Sequence, residues 1–164
     1  TIFNLLGPIA NPADVTRQLV GVFSQDWVEP VAKVLKSLGS KRAWVVHGSD
    51  GLDEITTTGK TKVASLEDGA VTIFEIHPSE AGIKLAKPEQ LVGGEPEENA
   101  NALLSIFNGE RNAYRDIVVL NSAACLIIAG KAKNLTEGAS IASNMIDNGK
   151  AMEKLEALKE ITNR

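Results

Sequence analysis

The sequence predicts an α/β domain whose mostly parallel mixed sheet is flanked by helices. Three patterns carry that reading: a strand, a helix and a second strand between residues 17 and 47; an alternating stretch folded about Asp68-Gly69; and helical periodicity from residue 96 onward. The 164 residues suffice for one domain with a hydrophobic core. Hydrophobic residues at 43% and charged residues at 23% are the balance of an ordinary soluble globular chain.

Residues 1–14, TIFNLLGPIANPAD, place Gly7, Pro8 and Pro12 among apolar residues. Proline removes a backbone donor and glycine loosens the chain, so a buried, shaped loop is expected rather than a long helix. Residues 17–24, RQLVGVFS, read as a strand buried on both faces. Ser24 or Asp26 can cap the next helix, whose Val28, Val31, Leu35 and Leu38 recur at helical spacing, with Gly39 as its stop. Ala43 to His47 is a second buried strand, and the βαβ order implies parallel pairing. Around Asp68-Gly69, TKVASLE and VTIFEIH form a hairpin signal. Residues 78–96 read as loop. Beyond it, Pro96 opens a helix with Ala100, Leu103, Leu104 and Phe107 on one face, ended by Asn108-Gly109. Residues 113–130 form an apolar helix. Thr136 caps a third, and Lys150 to Thr162 is a fourth.

Charge and composition narrow the functions. A net charge of −4 with no basic run argues against a nucleic-acid surface. The longest apolar stretch, Ile117 to Ala129, is too short to span a bilayer. The single cysteine, Cys125, excludes an internal disulfide, is expected to be a small buried hydrophobe, and fits a reducing cytosol.

The loop after the second strand, GSDGLDEITTTG, holds Asp50 and the adjacent pair Asp53-Glu54 at the sheet end where open α/β folds bind ligands. Adjacent carboxylates can reach one hard cation, and magnesium prefers one or two carboxylates with water and phosphate oxygens. A solvated acidic loop explains the same residues. Gly7-Pro8 reads either as one wall of a flat apolar pocket or as a structural crossing. His47 ends a strand with no partner nearby in sequence, and His77 precedes Pro78, so both are expected to be structural. Gly93-Gly94 could cradle a phosphate, but Glu95, Glu97 and Glu98 follow and would repel it.

Three segments resemble anthranilate phosphoribosyltransferases. Residues 1–12, TIFNLLGPIANP, are similar to the family's TIFNxLGPLxNP signature; Val46-His47-Gly48 followed by Asp50-Gly51-Leu52-Asp53-Glu54 is similar to its VHGxDGLDE; and Asn121-Ser122-Ala123-Ala124 resembles its LNAAA segment. The resemblance runs the whole chain in order. It implies the catalytic-domain fold shared by nucleoside phosphorylases and phosphoribosyltransferases. It also implies transfer of phosphoribose from phosphoribosyl pyrophosphate to the amine of anthranilate, in tryptophan biosynthesis in the cytoplasm. Carried over by motif, Asp53 and Glu54 bind magnesium, while Pro8, with Gly7 beside it, lines the anthranilate channel. The family's glycine-rich diphosphate loop, its anthranilate-binding arginine and the helical domain through which members dimerise have no counterpart here. The resemblance therefore implies the C-terminal, larger-domain portion of a homodimeric enzyme, inactive in isolation. A pyrimidine-nucleoside phosphorylase relative and a non-catalytic binding module of the same fold are the alternatives.

Overall fold

The computed structural model describes residues 2–11 and 13–163. The order is α1 (Ile2–Ile9), β1 (Arg17–Gly21), α2 (Val28–Ser37), β2 (Arg42–Gly48), β3 (Thr61–Glu67), β4 (Ala70–Ile76), α3 (Pro96–Phe107), α4 (Ala113–Ile128), α5 (Leu135–Asp147) and α6 (Lys150–Thr162). The four strands form one sheet in sequence order. β1 pairs parallel to β2, whereas β2–β3 and β3–β4 are antiparallel. The sheet is mixed, as expected, but parallel pairing is its minority among the described strands. The reason is that the loop over residues 49–60 returns the chain beside β2 as antiparallel β3, and the hairpin then adds β4 antiparallel to β3. Its turn residues Asp68 and Gly69 have φ of 49° and 74°, the doubly positive pair of the tight two-residue turn.

Alternation along the strands divides the core into two layers. Ala43 and Val45 of β2, with Ala64 and Leu66 of β3, face α2 and its Val28, Val31, Ala32 and Leu35. Val46 and Val63 face the other way, toward Ile106 of α3, Val119, Leu120, Ala123 and Ala124 of α4, and Ala139 and Ala142 of α5. The sheet is thus a middle layer with helices on both faces.

Several boundaries differ from the sequence expectations. Residues 2–9 are helical rather than a shaped loop. Pro8 forfeits only one backbone bond in so short a helix, and the amide of Ala10 still reaches the Leu6 carbonyl at 2.8 Å. Leu6 and Gly7 are exposed, so the expected burial is absent there; Thr1 and Pro12 lie outside the described residues. β1 stands at the sheet edge, and only Val20 within it is fully buried. The inner face of α3 runs through Leu103, Ile106 and Phe107, while Ala100 and Leu104 are exposed. Asn134, not Thr136, caps α5 by accepting from the Glu137 amide, and the Thr136 hydroxyl donates instead to the Glu80 carbonyl. Ser24 supplies the cap before α2, and Gly39 ends that helix at a φ of 87°.

The tightest helix contact is between α4 and α5. A Cβ on Gly138 would lie 2.8–2.9 Å from the backbone and Cβ of Ala123. The small residues of the Asn121-Ser122-Ala123-Ala124 segment therefore serve helix approach. Gly138→Ala is expected to cost about 1–3 kcal/mol by overpacking. A lowered urea midpoint with unchanged slope checks this, and wild-type stability would contradict it.

Candidate functional site

The loop between β2 and β3 leaves the sheet at the C-terminal ends of β1 and β2. It is organised around Asp50. One carboxylate oxygen accepts from the hydroxyls of Thr56 at 2.5 Å and Thr58 at 2.6 Å, and the other from the Leu52 amide at 3.2 Å. Burial opposes ionisation of Asp50. The hydrogen bonds from Thr56, Thr58 and the backbone outweigh it and hold the carboxyl below its ordinary value. Gly48 allows the close approach, since a Cβ there would lie 2.6 Å from the Asp50 carboxylate. Asp50 is thus spent inside the loop and does not join the acid pair.

Asp53 and Glu54 are exposed at the rim of a hollow of about 260 Å³ lined also by Leu19, Gly21, Val46 and Asn121. Partial burial, and after it the charge of Asp53, raises the carboxyl of Glu54 above the usual glutamate value. Two contacts seat this stretch. Gly21, the last residue of β1, lies so close to the Asp53 carbonyl that a Cβ would fall 1.5 Å from its oxygen. From the other side, the Asn121 side chain on α4 accepts from the Ile55 amide at 3.0 Å and donates to the Ile55 carbonyl at 2.9 Å. Ile55 is wholly buried, so water cannot replace these bonds.

The donor set tests what the hollow can hold. Among the described residues, no group of three or more histidine, cysteine or acidic side chains is placed to hold a metal ion. Two exposed carboxylates do not make a closed protein cage of the zinc type. They fit magnesium, which takes one or two carboxylates and fills its remaining positions with water and phosphate oxygens.

The other sequence candidates lie elsewhere. Gly7 is exposed, and Pro8 lines a separate cleft of about 290 Å³ beside Val15, Gln18, Leu38 and Gly39. That cleft sits at the opposite end of β1 from Gly21, so the structure does not bring Pro8 and the acid pair together. Nδ1 of His47 donates to the Val22 carbonyl at 2.7 Å, tying β2 to the segment after β1. His77 caps the short turn at Pro78–Ala81 by accepting from the Ser79 amide. Each histidine thus has a hydrogen-bond partner within the fold. The amides of Gly94 and Glu95 are taken by Asn99 and Glu98, which leaves no phosphate cradle at Gly93-Gly94. Cys125 is exposed, not buried; it lines an apolar cleft with Leu126 and Met145, and desolvation raises its thiol. The reason is its position on α4, one residue past the pair Ala123-Ala124 that faces the core.

Sequence reasoning missed Gly21 and Asn121 as parts of the site. Signals existed for both. An isolated glycine inside a strand marks close backbone approach. An asparagine within a largely apolar helix needs hydrogen-bond partners.

Residues 1–152 match the model of a glycosyl transferase family, a/b domain. The anthranilate phosphoribosyltransferase of Azospirillum brasilense is 60% identical over 163 residues, which cover 99% of this chain and 46% of that protein. The solved anthranilate phosphoribosyltransferase of Thermus thermophilus superposes with a TM-score of 0.87 at 39% identity, over 96% of this chain and 46% of that one. The Saccharomyces cerevisiae enzyme in complex with PRPP and Mg gives 0.84 at 29% identity, over 95% of this chain and 45% of that one. The chain spans about half the length of the curated relatives it matches.

The organisation of the loop predicts a pH signature. A carboxyl held below its ordinary value stabilises the fold above the unfolded-state pKa, and that contribution is lost as pH falls through the lower folded value. Asp50→Asn should therefore melt below wild type at pH 7, with the difference shrinking toward about pH 3. Thermal melts across that range check it; a difference constant with pH would contradict it.

Proposed function

The chain belongs to the glycosyl transferase family with the a/b domain, and from that premise we propose that it is the larger-domain portion of an anthranilate phosphoribosyltransferase. The observation that carries the reading is the open Asp53-Glu54 pair over a hollow at the C-terminal ends of β1 and β2. The Azospirillum brasilense relative and the solved relatives bearing that enzyme's name support it. The yeast enzyme's complex with PRPP and Mg supports the substrate and the ion.

In this reading, Asp53 and Glu54 hold magnesium together with the diphosphate of phosphoribosyl pyrophosphate. When bound there, such an ion would supply positive charge to offset the negative charge that builds on the leaving diphosphate. The bond from ribose C1 to the diphosphate oxygen breaks, the bond from C1 to the anthranilate nitrogen forms, the amine loses a proton and pyrophosphate departs. The chain's own residues contribute placement. The Asp50 network shapes the loop, and Gly21 and Asn121 seat the acid pair at the sheet end. No covalent nucleophile is required, and neither histidine is assigned a role. Gly7 and Pro8 belong to the anthranilate side of the reaction. Support for that is the TIFNLLGPIANP motif alone. The half of the relatives' length outside this chain supplies the remaining substrate contacts and the homodimer contact. The isolated chain is therefore inactive, and the whole enzyme works in the cytoplasm.

Anthranilate consumption by the full-length protein, followed by fluorescence with phosphoribosyl pyrophosphate and magnesium, tests this. Asp53→Asn and Glu54→Gln should each lower kcat/KM by about a hundredfold or more, with part of the loss recovered by raising magnesium. Pro8→Ala should raise KM for anthranilate and leave the magnesium requirement unchanged. No turnover by the folded wild-type protein at any magnesium concentration would overturn the reading.

A further inference from the structure

Nothing in the motif resemblance gives Asn121 a task, yet its side chain makes the most specific long-range polar contact in the site. The carboxamide pairs with both the amide and the carbonyl of Ile55, at 3.0 and 2.9 Å, across 66 residues of chain. Its nitrogen also donates to the Ile117 carbonyl one turn earlier in α4, at 3.0 Å. The same side chain lines the hollow with Asp53 and Glu54.

The geometry is that of a clamp. A carboxamide presents one acceptor and two donor hydrogens, and here each has a backbone partner. The bond to Ile117 fixes the amide plane relative to α4. The paired bonds to Ile55 then fix the peptide next in the chain to Glu54. Ile55 is wholly buried, and the Asp53 carbonyl is packed on Gly21 at the far side. The two acidic residues are thus held between a glycine of the sheet and an asparagine of the helix, with little freedom to swing.

From this we infer that Asn121 is a positioning residue for the Asp53-Glu54 pair: through Ile55 it sets where the two carboxylates present themselves to a divalent cation. The inference rests on the metal reading of the acid pair given above. Groups that orient metal-binding side chains without touching the metal commonly change affinity by about tenfold to a hundredfold when removed. A residue that only stabilised the fold would lower the melting temperature without selectively weakening the metal.

The test uses Mn2+ alone as the probe, its affinity for the full-length protein measured by electron paramagnetic resonance. Asn121→Ala removes the clamp. Asn121→Gln keeps a carboxamide but lengthens its arm, so the backbone of Ile55 can stay hydrogen-bonded while being displaced. Ser122→Ala controls for perturbation of α4, and Glu54→Gln removes a ligand. Asn121→Ala is expected to weaken Mn2+ by about tenfold or more, and Asn121→Gln to weaken it with a smaller loss of melting temperature. Ser122→Ala should match wild type. If Asn121→Ala fails to fold, the Gln variant decides by the same criterion. Wild-type Mn2+ affinity in the Asn121 variants, alongside weakening in Glu54→Gln, would overturn the inference while leaving the metal reading intact. Unchanged affinity in Glu54→Gln would overturn the metal reading, and the inference with it.

Discussion

The site depends on one buried residue. Ile55 is wholly inaccessible, so its amide and carbonyl must be paired within the protein or cost about 1–3 kcal/mol each. The Asn121 carboxamide pairs both. That couples the acidic loop to α4, and α4 is itself locked to α5 by the Ala123–Gly138 contact. The loop is therefore an extension of the helical layer as much as of the sheet. Its other anchor is steric: β1 ends in a glycine, and the Asp53 backbone occupies the space where any side chain would project.

This arrangement separates two jobs that acidic residues share in the sequence. Asp50 faces inward and accepts from Thr56, Thr58 and the Leu52 amide. Asp53 and Glu54 face outward over the hollow and remain available to a cation. Spacing alone does not distinguish them, because all three lie within five residues of a glycine-bearing loop. The difference arises from the threonines that return toward the sheet and supply hydroxyl donors to only one carboxylate.

Much of the fold was legible from local pattern. The hairpin about Asp68-Gly69, the α2 face of Val28, Val31 and Leu35, and the stop at Gly39 follow from period and turn chemistry. The misses arose where tertiary context decides. The core face of α3 is set by which side meets α4 and α5, and it turned on Ile106 rather than Ala100 and Leu104. Cys125 looked buried in an apolar run, but one face of α4 borders an open cleft. For the site, the acid pair and its place at the sheet end were readable. The clamp was not, because it joins residues far apart in sequence, although a polar residue inside an apolar helix was its trace.

The central claim is that the acid pair seated by Gly21 and Asn121 is where a divalent cation binds. The most direct measurement is a Mn2+ titration of the isotopically labelled full-length protein followed by NMR. The account predicts that the amide signals of Gly21, Asp53 and Glu54 broaden first, at the lowest added metal. Broadening that begins at the acidic start of α3, around Glu97 and Glu98, while Asp53 and Glu54 stay sharp, would contradict it.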